Sequence, residues 1–170
     1  MRRWLALWIS VLMLALSAGT QEPDPADALL GEWTTEKEES IFVFYKEGGL
    51  YHARVDWMRQ PVYPAGDPEA GKPMRDRENP EESMHKVPWQ DYVFLKNFRF
   101  KEKKWVGGTI YDPTEGDTYK CQLHIDDGEL KVRGYIGVPL LGRTVTWKRP
   151  SPELKKLAAE TPPQRPVIIP

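Results

Sequence analysis

Cysteine is nearly absent: Cys121 stands alone in 170 residues. A lone thiol closes no internal disulfide, so the fold must be held by burial of a core. The chain is long enough for one domain held that way, because about 150 residues bury roughly 70 % of their unfolded surface. Histidine is scarce as well, and His52, His85 and His124 lie apart from one another. None has the spacing of a zinc ligand set, and no metal or cofactor is implied. A basic excess is also missing, since 24 Lys and Arg face 25 Asp and Glu, for a formal net charge of −1. Such a chain has no field with which to neutralise a phosphate backbone, which excludes nucleic acid as an expected partner. No serine stands in a nucleophile elbow. Asp76, Glu78 and Asn79 lack the alternating oxygens of a calcium loop. No repeat or heptad runs through the chain.

Only one long apolar run is present, Trp4–Leu16, broken once by Ser10 and preceded by Arg2 and Arg3. It is short for a membrane span, which takes about 20 residues. Ser17-Ala18-Gly19 follows it with small side chains. A basic start, a short apolar centre and a small-residue site read as a secretory signal over residues 1–19, cleaved after Gly19. The expectation is a periplasmic or secreted protein with no stable membrane span after cleavage. An uncleaved N-terminal anchor is the alternative. Thr20–Ala28, with Pro23 and Pro25, reads as a flexible leader.

From Leu29 to Arg149 the pattern is that of short strands. Leu29–Thr35, Ser40–Lys46 and Leu50–Arg59 come first. In the third of these Tyr51, Ala53, Val55 and Trp57 share one face by period-two alternation. Gly48-Gly49 supplies the turn before it. Gln60–Val87 breaks the period, being rich in proline, charge and methionine. So long an irregular segment is either a lid or a variable surface connection. Tyr92–Phe100, Trp105–Asp112, Thr118–Asp126, Glu129–Ile136 and Arg143–Arg149 complete the set. Asp112-Pro113-Thr114-Glu115-Gly116 and Asp126-Asp127-Gly128 are turns by residue chemistry. Gly107-Gly108 inside a strand signals a bulge or a close approach. Pro152–Glu160 reads as a short helix capped by Ser151, with Leu154, Leu157 and Ala158 on one stripe. The remainder of 150–170 is a Pro-rich tail. Eight strands joined mostly by hairpins predict a single up-and-down antiparallel barrel, since closure leaves no exposed edge. A sandwich is the structural alternative.

The run WxGGxIYDPxxGxTY, followed by LxVRGYxG and LGRTxxWxR, carries a further implication. With the upstream DxxNP at Asp76, Asn79 and Pro80, it resembles the bacterial domain of unknown function family 2147 over about Gly31–Arg149. The residues that carry the likeness include Gly107, Gly108, Tyr111, Asp112, Pro113, Gly116, Arg133, Gly134, Gly142 and Arg143. The resemblance implies an exported protein with a lipocalin-like barrel and transfers no catalytic residue. The chain departs from the family pattern at Val87-Pro88-Trp89-Gln90-Asp91. Gly31-Glu32-Trp33 is in turn similar to the Gly-x-Trp of lipocalins, with Arg149 ending the last strand. First and last strands are neighbours in a closed barrel, so Arg149 is expected to stack on Trp33 and plug one end.

Polar clusters are few. Asp112 and Arg133 are expected to meet across adjacent strands as a structural fork. Asp112 and Asp117 are explained by turn chemistry rather than by acid–base work. Cys121 alternates with inward residues and reads as an inert core thiol. The fold therefore predicts a non-enzymatic binder of a small, partly apolar molecule. Tyr51, Trp57, Tyr119 and Trp147 are expected on the ligand wall and Trp105 near the mouth. A solidly packed barrel that engages a protein partner in the cell envelope is the alternative.

Overall fold

Each hydrophobic alternation in the sequence is realised as a strand. The computed structural model describes residue 22 and residues 24–162. The strands are β1 (Gly31–Thr35), β2 (Ser40–Glu47), β3 (Leu50–Met58), β4 (Val93–Lys101), β5 (Lys104–Asp112), β6 (Asp117–Asp126), β7 (Glu129–Tyr135) and β8 (Arg143–Lys148). Every strand pairs antiparallel with the next, and β1 pairs with β8, so the sheet closes into the expected up-and-down barrel. The expected signal segment 1–19, residues 20, 21 and 23 of the leader, and tail residues 163–170 lie outside the described residues. Among the described residues no helix is long and apolar enough to cross a membrane.

Bulges shape the barrel. In β5, Trp105 pairs with Leu123 and Gly108 with Cys121, which leaves one extra residue on β5. Gly107 takes it up at φ +77°, a backbone state that costs glycine least. Gly108 serves differently: a Cβ there would stand 2.5 Å from the Phe98 ring and 2.6 Å from the Lys96 carbonyl oxygen. Both meanings of a strand glycine, bulge and close approach, are thus used in adjacent positions.

A second bulge corrects the expected face of Trp57. Phe42 pairs with Val55 but Ile41 pairs with Trp57, so Asp56 is the extra residue on β3. Beyond it the faces exchange. Trp57 points outward with Ile41, and the two pack under Leu154 of α1 (Pro152–Glu160). The Trp57 indole donates to the Thr161 carbonyl at 2.9 Å. The helix begins where expected, with Ser151 Oγ accepting from Leu154 N at 3.1 Å.

The leader is not a free segment where it is described. Pro25–Leu29 forms a 3-10 helix, opened by Asp24 Oδ1 accepting from Ala26 N at 2.9 Å. Ala26 and Leu29 are buried in the barrel core. Two apolar side chains find an open barrel end, and their burial outweighs the entropy of ordering one helical turn.

Candidate functional site

The two ends of the barrel differ. One is plugged. Arg149 lies 3.7 Å from the Trp33 ring centre, and its guanidinium donates to the carbonyls of Ala28 at 2.9 Å, Leu30 at 3.1 Å and Glu32 at 2.9 Å. The Trp33 indole donates to the Leu29 carbonyl at 2.8 Å. Arg149 thus ties the 3-10 turn across the barrel mouth while covering the indole. Tyr51 and Trp105 belong to the same plug. The Tyr51 hydroxyl donates to Asp27 Oδ1 at 2.7 Å, and the Trp105 indole to the Ala26 carbonyl at 3.1 Å. The expectation that these two rings face a ligand is therefore replaced by a closing role. Their polar tips are spent on the turn, because that end of the barrel is filled.

The opposite end is open. It holds a cavity of about 970 Å³, near the upper end of ordinary ligand pockets. Phe42, Val55, Met58, Phe94, Ile110 and Val132 form its apolar wall, with Met74 and Trp89 above and Asp112, Glu115, Tyr119 and Arg143 at the mouth. Of the five aromatic residues expected at a ligand, Tyr119 is the one that lines this space. Trp147 packs behind it, 4.6 Å from the Phe42 ring and 6.1 Å from Phe94. Trp57 is outside, for the reason already given. Alternation missed Met58 and Phe94 because both owe their direction to bulges. Ala53 pairs with Leu95 and Arg54 with Val93, so Phe94 is the extra residue on β4.

Two expected motifs meet at this mouth. Asp76 is 1 % exposed, and its Oδ2 accepts from Asn79 Nδ2 at 2.7 Å. Asn79 Nδ2 also reaches the Tyr92 hydroxyl at 3.3 Å, and Asn79 Oδ1 accepts from Glu81 N at 2.9 Å. The Tyr111 hydroxyl lies beside the Asp76 carboxylate. Burial first, and Asp76 second, push its pKa well above the ordinary phenol value. Tyr111, Tyr92 and Trp89 pack ring to ring at 5.0–6.3 Å. At Gly116, φ is +73° and a Cβ would stand 2.1 Å from the Glu78 carbonyl oxygen. Asp76, Asn79, Tyr111 and Gly116 therefore act together to seat the β3–β4 connection on β5 and the β5–β6 turn. His85 joins this seat, its Nε2 being 2.7 Å from the Asn79 carbonyl oxygen.

That connection has structure of its own. Arg77 donates to Asp67 at 2.8 and 2.9 Å and to Glu69 at 2.8 Å, and lies 3.6 Å from the Tyr63 ring. Arg75 also donates to Glu69. The Arg77 contact holds the Asp67 carboxyl down to about 2 and lowers Glu69 as well. A carboxyl depressed in the folded state stabilises above its ordinary value near 4, and that contribution fades as pH falls toward 2. Protection factors of the amides in residues 61–90, corrected for intrinsic exchange, should therefore fall between about pH 4 and pH 2, ahead of those in the barrel strands. Equal protection across that window would show that the ion pairs do not hold the segment.

The remaining polar expectations resolve plainly. Asp112 and Arg133 do not form a fork, because β6 stands between β5 and β7. Asp112 Oδ1 accepts from Thr114 N at 2.8 Å, as turn chemistry requires. Arg133 instead donates to the Pro139 carbonyl at 2.6 Å, the Leu140 carbonyl at 3.1 Å and Thr144 Oγ1 at 2.7 Å. Gly142 allows close approach, since a Cβ there would meet the Gly134 carbonyl oxygen at 2.5 Å. Cys121 is fully buried, and desolvation pushes its thiol up to about 12, where thiolate chemistry is suppressed. Among the described residues no cluster of three or more His, Cys, Asp or Glu could hold a metal ion.

An eight-stranded antiparallel barrel, plugged at one end by Trp and Arg and open at the other onto an apolar cavity, is a lipocalin-like fold. A solved structure of the same fold is that of protein HP1028 from the human pathogen Helicobacter pylori, described as belonging to the lipocalin family. It is 23 % identical, with a TM-score of 0.62 over 77 % of this chain and 88 % of the other. Residues 31–149 match the family described as "Uncharacterized protein conserved in bacteria (DUF2147)", and the chain belongs to that family. No curated protein matches it.

Proposed function

We propose that this is an exported, non-enzymatic binder of a small, partly apolar molecule, held in the open half of the barrel. The cavity of about 970 Å³ carries the reading. Its wall is aliphatic and aromatic while its polar groups gather at the mouth, an arrangement that suits an apolar body with a polar end. The fold shared with a lipocalin supports the same reading. The N-terminal basic and apolar segment supports export, with cleavage after Gly19 placing the barrel in the periplasm or outside the cell.

Gly134 provides the test. A Cβ on Gly134 would meet only Ile110 Cγ2 at 3.5 Å and Tyr119 Cβ at 3.9 Å, and Gly134 lines the cavity. A side chain at this position grows into the open space without disturbing the sheet. An apolar naphthylamine dye should gain fluorescence on binding the wild-type protein and be displaced by long-chain fatty acids. Gly134→Phe should weaken dye binding by at least roughly tenfold, about 1.4 kcal/mol, with an unchanged circular dichroism spectrum. Equal dye affinity in the two proteins would refute the cavity as the site.

A further inference from the structure

The β7–β8 connection is built unlike a solvent loop. The large apolar side chains most exposed among the described residues all fall on it or beside it: Ile136 at 75 %, Val138 at 54 %, Leu140 at 85 %, Leu141 at 79 % and Val145 at 40 %. Part of its backbone, in contrast, is bonded within the loop. Leu141 N donates to the Val138 carbonyl at 3.2 Å and Gly142 N to the Pro139 carbonyl at 3.0 Å. Arg133 takes the Pro139 and Leu140 carbonyls from below, and Pro139 has no N–H to satisfy. Each peptide group bonded beforehand lowers the cost of moving a loop from water into an apolar phase.

The surroundings point to the same phase. Ile136 and Leu141 line the cavity mouth, so the exposed apolar tip and the apolar interior are continuous. Arg143 stands beside them, and its exposed side chain makes no hydrogen bond or ion pair among the described residues. The acidic groups across the mouth are engaged locally, Asp112 with Thr114 N and Glu115 with the Tyr119 hydroxyl. Five apolar residues on one short loop would be a small part of the roughly 20–30 residues a side that a stable protein interface engages.

We propose that this loop docks the open end of the barrel on a phospholipid bilayer. Its apolar side chains enter the acyl boundary, Arg143 meets lipid phosphate, and the cavity loads from the leaflet it faces. The loading step rests on the ligand-binding reading; the docking step stands apart from it. Leu140→Cys labelled with an environment-sensitive nitrobenzoxadiazole reads the loop selectively, because Cys121 is fully buried. The label is carried both in the full-length chain and in a chain begun at Thr20, which keeps every element of the barrel. Vesicles of phosphatidylethanolamine and phosphatidylglycerol should shift its emission to the blue and raise it. Leu141→Glu in the labelled protein should weaken that partition by roughly tenfold or more, and Arg143→Gln should weaken it on anionic vesicles only. An unchanged emission, or a response indifferent to Leu141→Glu, overturns the proposal. Self-association in the absence of vesicles that Leu141→Glu abolishes overturns it too, making a second copy the occupant. Gly134→Phe separates the two readings, since it should dock normally while losing the dye. Docking without dye binding in the wild-type protein sinks the ligand reading alone, and dye binding without docking sinks this one alone.

Discussion

Trp33→Ala should lower stability by about 3–5 kcal/mol, the usual cost of removing a large buried ring. For a domain of this size that is a fall in Tm of roughly 6–20 °C. Three contributions are lost together. The ring is 1 % exposed and sits in the core cluster, its indole N–H holds the Leu29 carbonyl, and its face supports Arg149. The last contribution is separable. A cycle of Trp33→Ala, Arg149→Ala and the double variant, followed by urea unfolding, should give a coupling of about 0.5–2 kcal/mol. Additive single effects would mean that ring and guanidinium act independently. Trp33→Phe should restore most of the packing but not the indole hydrogen bond, leaving a deficit of about 1 kcal/mol. The 3-10 turn should report the damage first. Its amides are tied down by Arg149 through the Ala28 and Leu30 carbonyls, so they should exchange faster in either single variant.

The plug was legible in the sequence only in outline. Gly31-Glu32-Trp33 and Arg149 could be paired because closure makes first and last strands neighbours. That the leader folds over them could not be read, since Pro25–Leu29 has no periodicity and owes its order to a barrel end offered by distant residues. Strand positions were legible nearly throughout, because alternation is local. Side-chain direction was legible only as far as the next bulge. Trp57 shows why: Asp56 inserts one residue, the faces exchange, and burial still alternates because α1 covers Trp57 from outside. The sequence pattern of β3 is therefore identical for an inward and an outward Trp57. Asp112 and Arg133 show a related limit. Both stand in well-matched motifs, but ladder order puts a whole strand between them.

The motifs densest in chemistry proved to organise the rim of the cavity. Asp76 and Asn79 lie far in sequence from Tyr111 and Gly116, and no local pattern links the two pairs. Their meeting is a tertiary fact. It gives the irregular segment after β3 a fixed seat above the cavity, with Met74 and Trp89 projecting over the apolar wall. The segment is held there by the buried Asp76 side chain and by the ion pairs around Arg77, neither of which a proline-rich, aperiodic stretch announces.

Gly116→Ala should uncouple that seat. Two costs combine at this position. An L-residue at φ +73° loses about 1–2 kcal/mol, and a Cβ 2.1 Å from the Glu78 carbonyl oxygen forces backbone apart, an overpacking cost of about 1–3 kcal/mol. The expected loss is about 2–5 kcal/mol by urea unfolding. Gly49→Ala is the control. Gly49 also has positive φ, at +79°, but nothing lies within 4 Å of its Cβ position. That variant should cost only the backbone component. The difference between the two measures the contact between the β5–β6 turn and the Asp76–Asn79 segment. Gly116→Ala should also speed amide exchange in residues 76–90 and accelerate dye release from the cavity, whereas Gly49→Ala, at the plugged end, should alter neither. Equal costs for the two variants would mean that Glu78 does not press on the turn, and that the segment above the cavity is held by Asp76 and the ion pairs without it.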